Sequence, residues 1–491
     1  MRRARHRATR ASTLRWVALA ALGTGAWLLR HRIAARIPGA RARLQRRAAK
    51  SDFFDGEATR LVAVGIPDHR SARVWVRSDR SGAHMLTLER DGGQLVHRGR
   101  FEVPDDPACD RTTAVRIPED IDGPPLHAYT RYRVEIHAAD GTSIGAARFT
   151  TAPLGEHDAP DRFALALASC HQPFADDGSI QPGAAEVLHE LPELLEQHGV
   201  EAVLLLGDQM YNDLPAGHSL FDDAAFARVA PKGRKHVLEC SREEVRAILQ
   251  QRYRVFWKVP AFARLQARFP SLCMLDDHEL VDNFGTAPEH REPPWRTFAA
   301  GALDAFHDYQ GLRTSDRPRP EEFSARFAWG PVAALVLDLR SQRVAFEERI
   351  EVLGESQWRA LDRFLDDEVK RPVLMLGLSV PLVHAAEWVV ASANLLAPRG
   401  SAAHEQWSHP HQAGQRDRLV HRLLEHRRRA PQQRIVLLSG DVHVGTVCEL
   451  SIGDTAPILQ VVSSALTNYE SVVVRAGSSE SAELARELET A

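Results

Sequence analysis

Four short motifs, each at the end of an apolar run, carry the side chains able to do chemistry in this chain of 491 residues. Ser169-Cys170-His171-Gln172 follows Phe163 to Ala168, and Gly207-Asp208-Gln209-Met210-Tyr211-Asn212-Asp213 follows Ala202 to Leu206. Asp276-Asp277-His278-Glu279 follows Leu272 to Leu275, and Gly440-Asp441-Val442-His443 follows Ile435 to Leu438. Thiolate, phenolate, imidazole and carboxylate are metal-ligand groups, and a thiolate with a phenolate favours an oxidisable metal over magnesium or calcium. Burying Asp276 to Glu279 side by side without a counter-ion is costly, and a cation supplies the missing charge. Asp441 and His443, two apart, point the same way from an extended segment. Cys170 and His171 are adjacent and face opposite ways, so a single ion takes only one of them. Each motif alone has a plainer reading: an Asp- and Asn-rich turn at Asp208, a buried small hydrophobe at Cys170, a solvated acidic turn at 276–279. The fourfold recurrence favours the chemical reading.

The elements that must position these groups follow from the same pattern. An apolar run of five or six residues ending in a glycine reads as a buried strand of a parallel sheet. Open α/β sheets bind ligands beyond the carboxyl ends of such strands, and Gly207 lets the backbone turn there. Further strands are expected at Val332–Leu337 and Val373–Leu376. Helical periodicity separates the strands at Ala184–His198, Arg242–Trp257, Trp295–Tyr309, Glu355–Asp367 and Arg416–Arg429. This alternation predicts an α/β fold. Upstream, alternating stretches such as Ala72–Val76, Met85–Leu88 and Tyr132–Ile136 lie between turn signals and predict an all-β sandwich. It holds no cluster of ligating or nucleophilic residues, so its expected role is structural.

Length implies two or more domains, and 44% hydrophobic with 26% charged residues describes a folded, soluble body. Of the 62 Lys and Arg residues, 14 fall in the first 50, which hold no Asp or Glu; the remaining 441 residues carry 48 basic against 65 acidic groups. So acidic a body disfavours specific nucleic-acid binding. Five scattered cysteines make no disulfide framework and leave the redox compartment open. The basic arm contains one apolar run, residues 16–29, which suits a signal-peptide core, a marginal span, or part of a disordered basic tail. Its flanking arginines favour contact with anionic lipid. The expectation is a membrane-associated or cell-envelope location, with the arm touching the membrane surface. The polar end after Ser471 is expected to fray.

In this order the four motifs, C…GDxxY…DDHE…GDxH, resemble those of the metallophosphoesterase superfamily, and within it the PhoD-like alkaline phosphatases. Leu337-Asp338-Leu339-Arg340-Ser341-Gln342-Arg343, Leu353-Gly354-Glu355-Ser356-Gln357-Trp358 and the segment Val64 to Asp79 carry the resemblance further. It implies a metallophosphoesterase-type α/β/β/α sandwich with an N-terminal β-sandwich domain. The implied division is a basic arm (1–57), a β domain (58–153), a catalytic domain (160–470) and a tail (471–491). The implied chemistry is metal-dependent hydrolysis of a phosphomonoester or phosphodiester, including phospholipid and nucleotide-type diesters. Asp208 resembles a carboxylate bridging two metals. Cys170, Tyr211 and His443 resemble ligands of Fe3+; Asp277 and Asp441 resemble ligands of a second ion, Ca2+, whose hardness suits oxygen donors. His278 resembles the group over the leaving oxygen, and Arg340 and Arg343 can bind phosphate, or, for at least one of them, form a surface ion pair. Two departures stand out. His171 follows Cys170 directly, where the family often has Gln, and Ser379 lies where many relatives have a His. The His-rich stretch 404–411 reads as an exposed loop or as cover for the site mouth. A non-catalytic, membrane-tethered metal-binding module on the same scaffold is the alternative function. Oligomeric state stays open.

Overall fold

The structure is a computed structural model that describes residues 38–155, 162–384, 390, 400, 402–451, 456–463 and 465–467. Its first part is antiparallel: β1 (Leu61–Val64), β2 (Ala72–Arg77), β3 (Gly82–Arg90), β4 (Gln94–Val103), β5 (Thr112–Ile117), β6 (Arg131–Ala138) and β7 (Ser143–Thr150). They form two sheets, ordered β1-β2-β5 and β4-β3-β6-β7. Alternation decides what each face does. Val74 and Val76 turn inward onto Leu86, Leu88, Val134 and Ile136. Trp75, between them, turns outward into the neighbouring helical core and donates from Nε1 to the Asp308 carbonyl at 2.8 Å. Arg254 pairs with Asp110 across the same junction.

The rest of the chain alternates strands and helices. Strands β8 (Ala164–Ala168), β9 (Val200–Leu205) and β10 (Ser271–Cys273) make a parallel sheet ordered β10-β9-β8. A six-stranded sheet contains β11 (Ala325–Trp329), β12 (Val332–Leu337), β15 (Val373–Leu378), β16 (Arg434–Ser439), β17 (Thr446–Leu450) and β18 (Ile458–Val462), ordered β11-β12-β15-β16-β18-β17. Its four central strands are parallel and its edges antiparallel. A small hairpin, β13 (Val344–Ala345) and β14 (Ile350–Glu351), stands apart.

Side-chain alternation along these strands assigns the layers. Leu204, Leu206, Leu272, Met274, Val336 and Leu438 share one apolar cluster, which fills the space between the two sheets. Val203, Leu205 and Leu275 face the other way onto α2 (Pro182–Gln197), α4 (Arg242–Phe256), α5 (Pro260–Arg268) and α6 (Pro293–Tyr309). Leu335, Leu337, Ile435 and Leu437 face α7 (Glu355–Asp367) and α8 (Ala413–Arg429). Two further helices are α1 (Pro38–Ala48) and α3 (Asp223–Phe226). Each fully buried large apolar side chain contributes roughly 1.5–3 kcal/mol, so the fold rests on these three clusters.

Past β18 the chain crosses between the sheets. Ser463 N donates to Ser439 O at 2.8 Å and Leu466 N to Ser169 O at 2.7 Å, with Ser169 bridged to Ala465 in parallel fashion. That crossing binds the carboxyl ends of β16 and β8 together, which is where the candidate site lies.

The expected strands and helices are present, shifted by one to three residues at their ends, and Val332–Leu337 and Glu355–Asp367 coincide with β12 and α7. Strands β11, β13, β14, β17 and β18 and helices α1, α3 and α5 had no expectation. Each is short, and α5 follows α4 so closely that its periodicity merges with it.

The membrane or envelope location is corrected. No helix among the described residues is long and apolar enough to cross a membrane. Residues 16–29 lie outside the described residues, as does the end after Ser471. Where the basic arm is described, its charge meets protein: in α1, Arg41 pairs with Asp222 at 2.7 Å, and Gln45 bonds the same carboxylate.

Candidate metal centre at the strand ends

Beyond β9, Leu206 and Gly207 lead into Asp208. Gly207 has φ +104°, and a Cβ there would stand 2.4 Å from Asp276 Cβ, so only glycine lets the two strand ends approach this closely. Cys170 (φ 56°), Asp208 (61°), Asp441 (62°) and His443 (57°) all occupy the left-handed region; only four other non-glycine residues, among those described, do so. Such backbone costs on the order of 1–3 kcal/mol per residue and persists only where surroundings over-determine it. Three of the four motifs, at the ends of β8, β9 and β16, thus present side chains from the same unusual conformation.

Glu279 is one of the groups that holds it. Its buried carboxylate accepts from Asp208 N at 3.0 Å, Gln209 N at 2.7 Å and Asp276 N at 3.0 Å, fastening the end of β9 to the end of β10. Burial pushes the Glu279 carboxyl up, against the pull of those three amides, to about 7.

On one side of Asp208, its Oδ2 faces Cys170 Sγ at 3.5 Å and Tyr211 Oη at 3.4 Å. On the other, oxygens of Asp208, Asp276, Asp277 and Asp441 all lie within 4.8 Å of one another. Asp208, Asp277 and His278 form an overlapping group. Asp208 therefore belongs to a sulfur- and phenol-containing set and to an oxygen-only set at once.

The charge in this pocket does not balance. Asp208, Asp276, Asp277, Glu279, Glu405 and Asp441 face Arg340, Arg343 and His278, six acids against three bases. Burial, together with the neighbouring Asp276 and Asp277, holds the carboxyls of Asp208 and Asp441 well above the usual carboxylate range; Glu279 adds to it at Asp208 and Glu405 at Asp441, while a base opposes each. Burial and Asp208 raise the Cys170 thiol in the same way. Asp276 Oδ2 is buried without a hydrogen-bond partner, and Asp277 Oδ1 has no hydrogen bond and only an ion pair to Arg340 at 3.5 Å. Under-satisfied acceptors, excess negative charge and a mixed donor set together fit cations at this place, since a bound cation reverses each of these costs.

His278 sits at the rim. Its Nδ1 lies 2.7 Å from Asp213 Oδ1, and its ring packs on that of Tyr211 with centroids 4.2 Å apart. Burial disfavours the charged ring, but Asp213, Asp277 and Asp208 outweigh it and raise the pKa well above the usual histidine value. His443, half-buried, is held down to about 4 by burial and by the charge of His278, so it is a neutral ligand-competent imidazole.

Arg340 and Arg343 are both enclosed. Arg340 pairs with Asp276, with Asp277 at 3.5 Å and with Glu405. Arg343 Nη1 lies 3.4 Å from Glu405, while its Nε and Nη2 have no hydrogen-bond partner. Neither guanidinium forms the surface ion pair that sequence allowed. His171 turns away from Cys170, stacks on Phe262 at 3.9 Å and is pressed by burial to about 3. Asp213, Asp276, Glu279 and Glu405 were missed as site residues. The first three stand inside the quoted motifs, and the signal available was that a buried motif needs every one of its polar groups paired.

Residues 165–488 match the model of a family described as PhoD-like phosphatase. A solved structure of PhoD is similar, with a TM-score of 0.62 at 16% identity over 84% of this chain and 78% of that one. A purple acid phosphatase, PPD1, isolated from yellow lupin (Lupinus luteus) seeds has a TM-score of 0.48 at 13% identity, over 82% of this chain and 64% of its own. No curated protein matches the chain. At these identities the likeness to PhoD speaks for a mixed α/β fold.

Proposed function

Since the chain belongs to the PhoD-like phosphatase family, we propose that its strand-end cluster is the binuclear metal centre of a phosphoric ester hydrolase. One observation carries this reading: Asp208 is shared by the Cys170–Tyr211 side and by the Asp276–Asp277–Asp441 side. A carboxylate so placed suits the bridge between two ions. Cys170, Tyr211, Asp208 and His443 would hold Fe3+; Asp208, Asp277 and Asp441 would hold Ca2+. When bound, two such cations supply Lewis-acid charge to the phosphoryl oxygens and activate water for in-line attack.

The chain's own groups do the rest. His278 is the general acid: Asp213 fixes Nδ1 and keeps the ring protonated, leaving the Nε2 proton for the departing alkoxide. A ligand role for His278 is the second reading, favoured by its nitrogen lying within 4.8 Å of Asp208 and Asp277 oxygens. Arg340 neutralises carboxylates behind the ions. Arg343, with two unpartnered donor nitrogens, is the arginine proposed to bind phosphate. The domain division at 58–153 and 160–470, in a metallophosphoesterase-type sandwich, belongs to the same proposal, with the β domain as a structural partner.

The test is elemental analysis of the purified protein together with a panel of phosphomonoesters and phosphodiesters, phospholipid and nucleotide types included, before and after chelation. Two ions per strand-end centre and chelator-sensitive hydrolysis are expected. Metal with no hydrolysis of any ester would favour a non-catalytic metal-binding module.

A further inference from the structure

The stretch 404–411 is not the exposed loop its composition suggested. His404 and His409 are buried, and His411 is half-exposed. We propose that His404, His409 and His411 form a second, three-histidine site for a transition-metal ion of the zinc, copper or nickel class, distinct from the strand-end centre.

A nitrogen from each ring lies within 4.8 Å of the other two. Ring centroids are 4.4 Å apart for His404 and His409, 4.7 Å for His409 and His411 and 6.0 Å for His404 and His411. The spacing H-x4-H-x-H is folded by two short 3-10 turns, Ala402–His404 and Pro410–Gln412. His409 N bonds Gln406 O at 2.8 Å, Gln412 N bonds His409 O at 2.9 Å, and Gln412 Nε2 donates to His404 O, so two backbone bonds and one side-chain bond hold the turn. Imidazole is a preferred ligand of zinc, copper and nickel, and three of them leave a fourth position open. His411 provides the exposed edge through which an ion enters.

A second observation points to a ligand. His411 N donates to His409 Nδ1 at 3.1 Å, which places the neutral ring's proton on Nε2, and that buried nitrogen has no hydrogen-bond partner. Leaving a buried donor unpaired is costly. Ion binding satisfies Nε2: the ring proton moves to Nδ1 and the Nε2 lone pair goes to the metal, with loss of the His411 N–H to Nδ1 bond as the cost set against the new metal–nitrogen bond. Burial and the two neighbouring rings already hold His409 down to about 4, hence neutral. Zn–N bonds of about 2.0–2.1 Å in a tetrahedron set ligand nitrogens roughly 3.3 Å apart. The rings therefore close by at most about 1.5 Å on binding, a shift within reach of the half-exposed His411.

The test uses the full chain and titration with Zn2+ and with Co2+, whose visible bands report tetrahedral nitrogen ligation. Wild type, His411→Ala and His404→Ala/His411→Ala are compared, each also in an Asp208→Asn background. That background removes the proposed strand-end centre, so failure of either reading shows separately. Expected is one Zn2+ per chain that survives Asp208→Asn and is weakened at least about 100-fold by His411→Ala, since even an outer partner of a ligand is worth 10–100-fold. The Co2+ bands should vanish in the double variant. Equal zinc affinity and unchanged Co2+ bands in wild type and His411→Ala, the variant least able to disturb folding, would overturn the site and leave the rings as packing.

Discussion

His278 Nδ1 lies 2.7 Å from Asp213 Oδ1, joining the loop after β9 to the loop after β10. This contact orients the ring and keeps it charged, which a proton donor to a leaving group requires. His278→Ala is expected to lower kcat by roughly 10²–10⁴-fold for alkyl esters while both ions stay bound. With a nitrophenyl ester the defect should shrink, because that leaving group departs without a proton. A uniform defect with loss of metal would instead assign His278 as a ligand.

Asp213→Asn tests the same contact through pH. Asp213 is among the charges that raise the His278 pKa. Removing it lowers that pKa, so the alkaline limb of the kcat profile, where the acid loses its proton, should move to lower pH. Stability follows the same sign. The charged ring stabilises the fold below the usual histidine range, and this contribution is lost as pH rises through the raised value. In the variant the loss should come earlier. A limb that does not move rules out His278 as the titrating acid.

Asp208→Asn is expected to release metal and to reduce hydrolysis by at least about 10²–10³-fold, the several kcal/mol of charge stabilisation that metal ions supply. The strand beneath stays buried through Val203, Leu204 and Leu205, so circular dichroism should be close to wild type. Full metal content with most activity retained would remove Asp208 from its bridging role.

Cys170 and Tyr211 both approach Asp208 Oδ2. With ferric iron beside them, thiolate and phenolate should give charge-transfer absorption and a coloured protein. Tyr211→Phe should shift or bleach the band and Cys170→Ser should alter it independently. A colourless, iron-free preparation with full activity would reduce the centre to its oxygen ligands.

Chelated and metal-loaded protein should respond oppositely to acid. Burial holds Glu279 and Glu405 at about 7, so without cations the folded state binds protons that the unfolded state releases above its ordinary carboxylate range. The melting temperature of chelated protein should therefore fall as pH rises from about 4.5 to about 7. Loaded protein should gain stability over the same window as protons cease to compete with metal. Parallel slopes in the two forms would show that no bound cation offsets the buried negative charge around Glu279 and Glu405.

The residues that could ligate were legible in the sequence because the relevant signals are local. An apolar run long enough for one buried strand, followed within two residues by a donor, describes Asp208, Asp277 and Cys170, and Asp441 stands only one residue further on, without reference to anything distant; a glycine precedes Asp208 and Asp441. Strand direction carried the same information: donors at the ends of parallel strands fall on one edge, whichever strands are neighbours. The basic arm shows the limit of composition. Its arginines suggested lipid, yet Arg41 meets Asp222, since charge density states what a segment attracts and not which partner reaches it first.

What tertiary structure decided is the pairing of buried polar groups. Asp213 meets His278 across 65 residues, Arg340 meets Glu405 across the same separation, and Glu279 reaches back 71 residues to Asp208. Each partner was visible as a residue type, but many carboxylates compete for each base, and only the crossing of the chain between the sheets selects among them. The histidines at 404–411, which composition leaves as an exposed loop or as cover for the site mouth, are decided in the same way. Polarity favours water only until packing encloses the segment, and enclosure is set by residues that approach from elsewhere in the fold. Periodicity and spacing thus determined the strands and their donors, while burial and partner choice, being long-range, were decided by the folded chain.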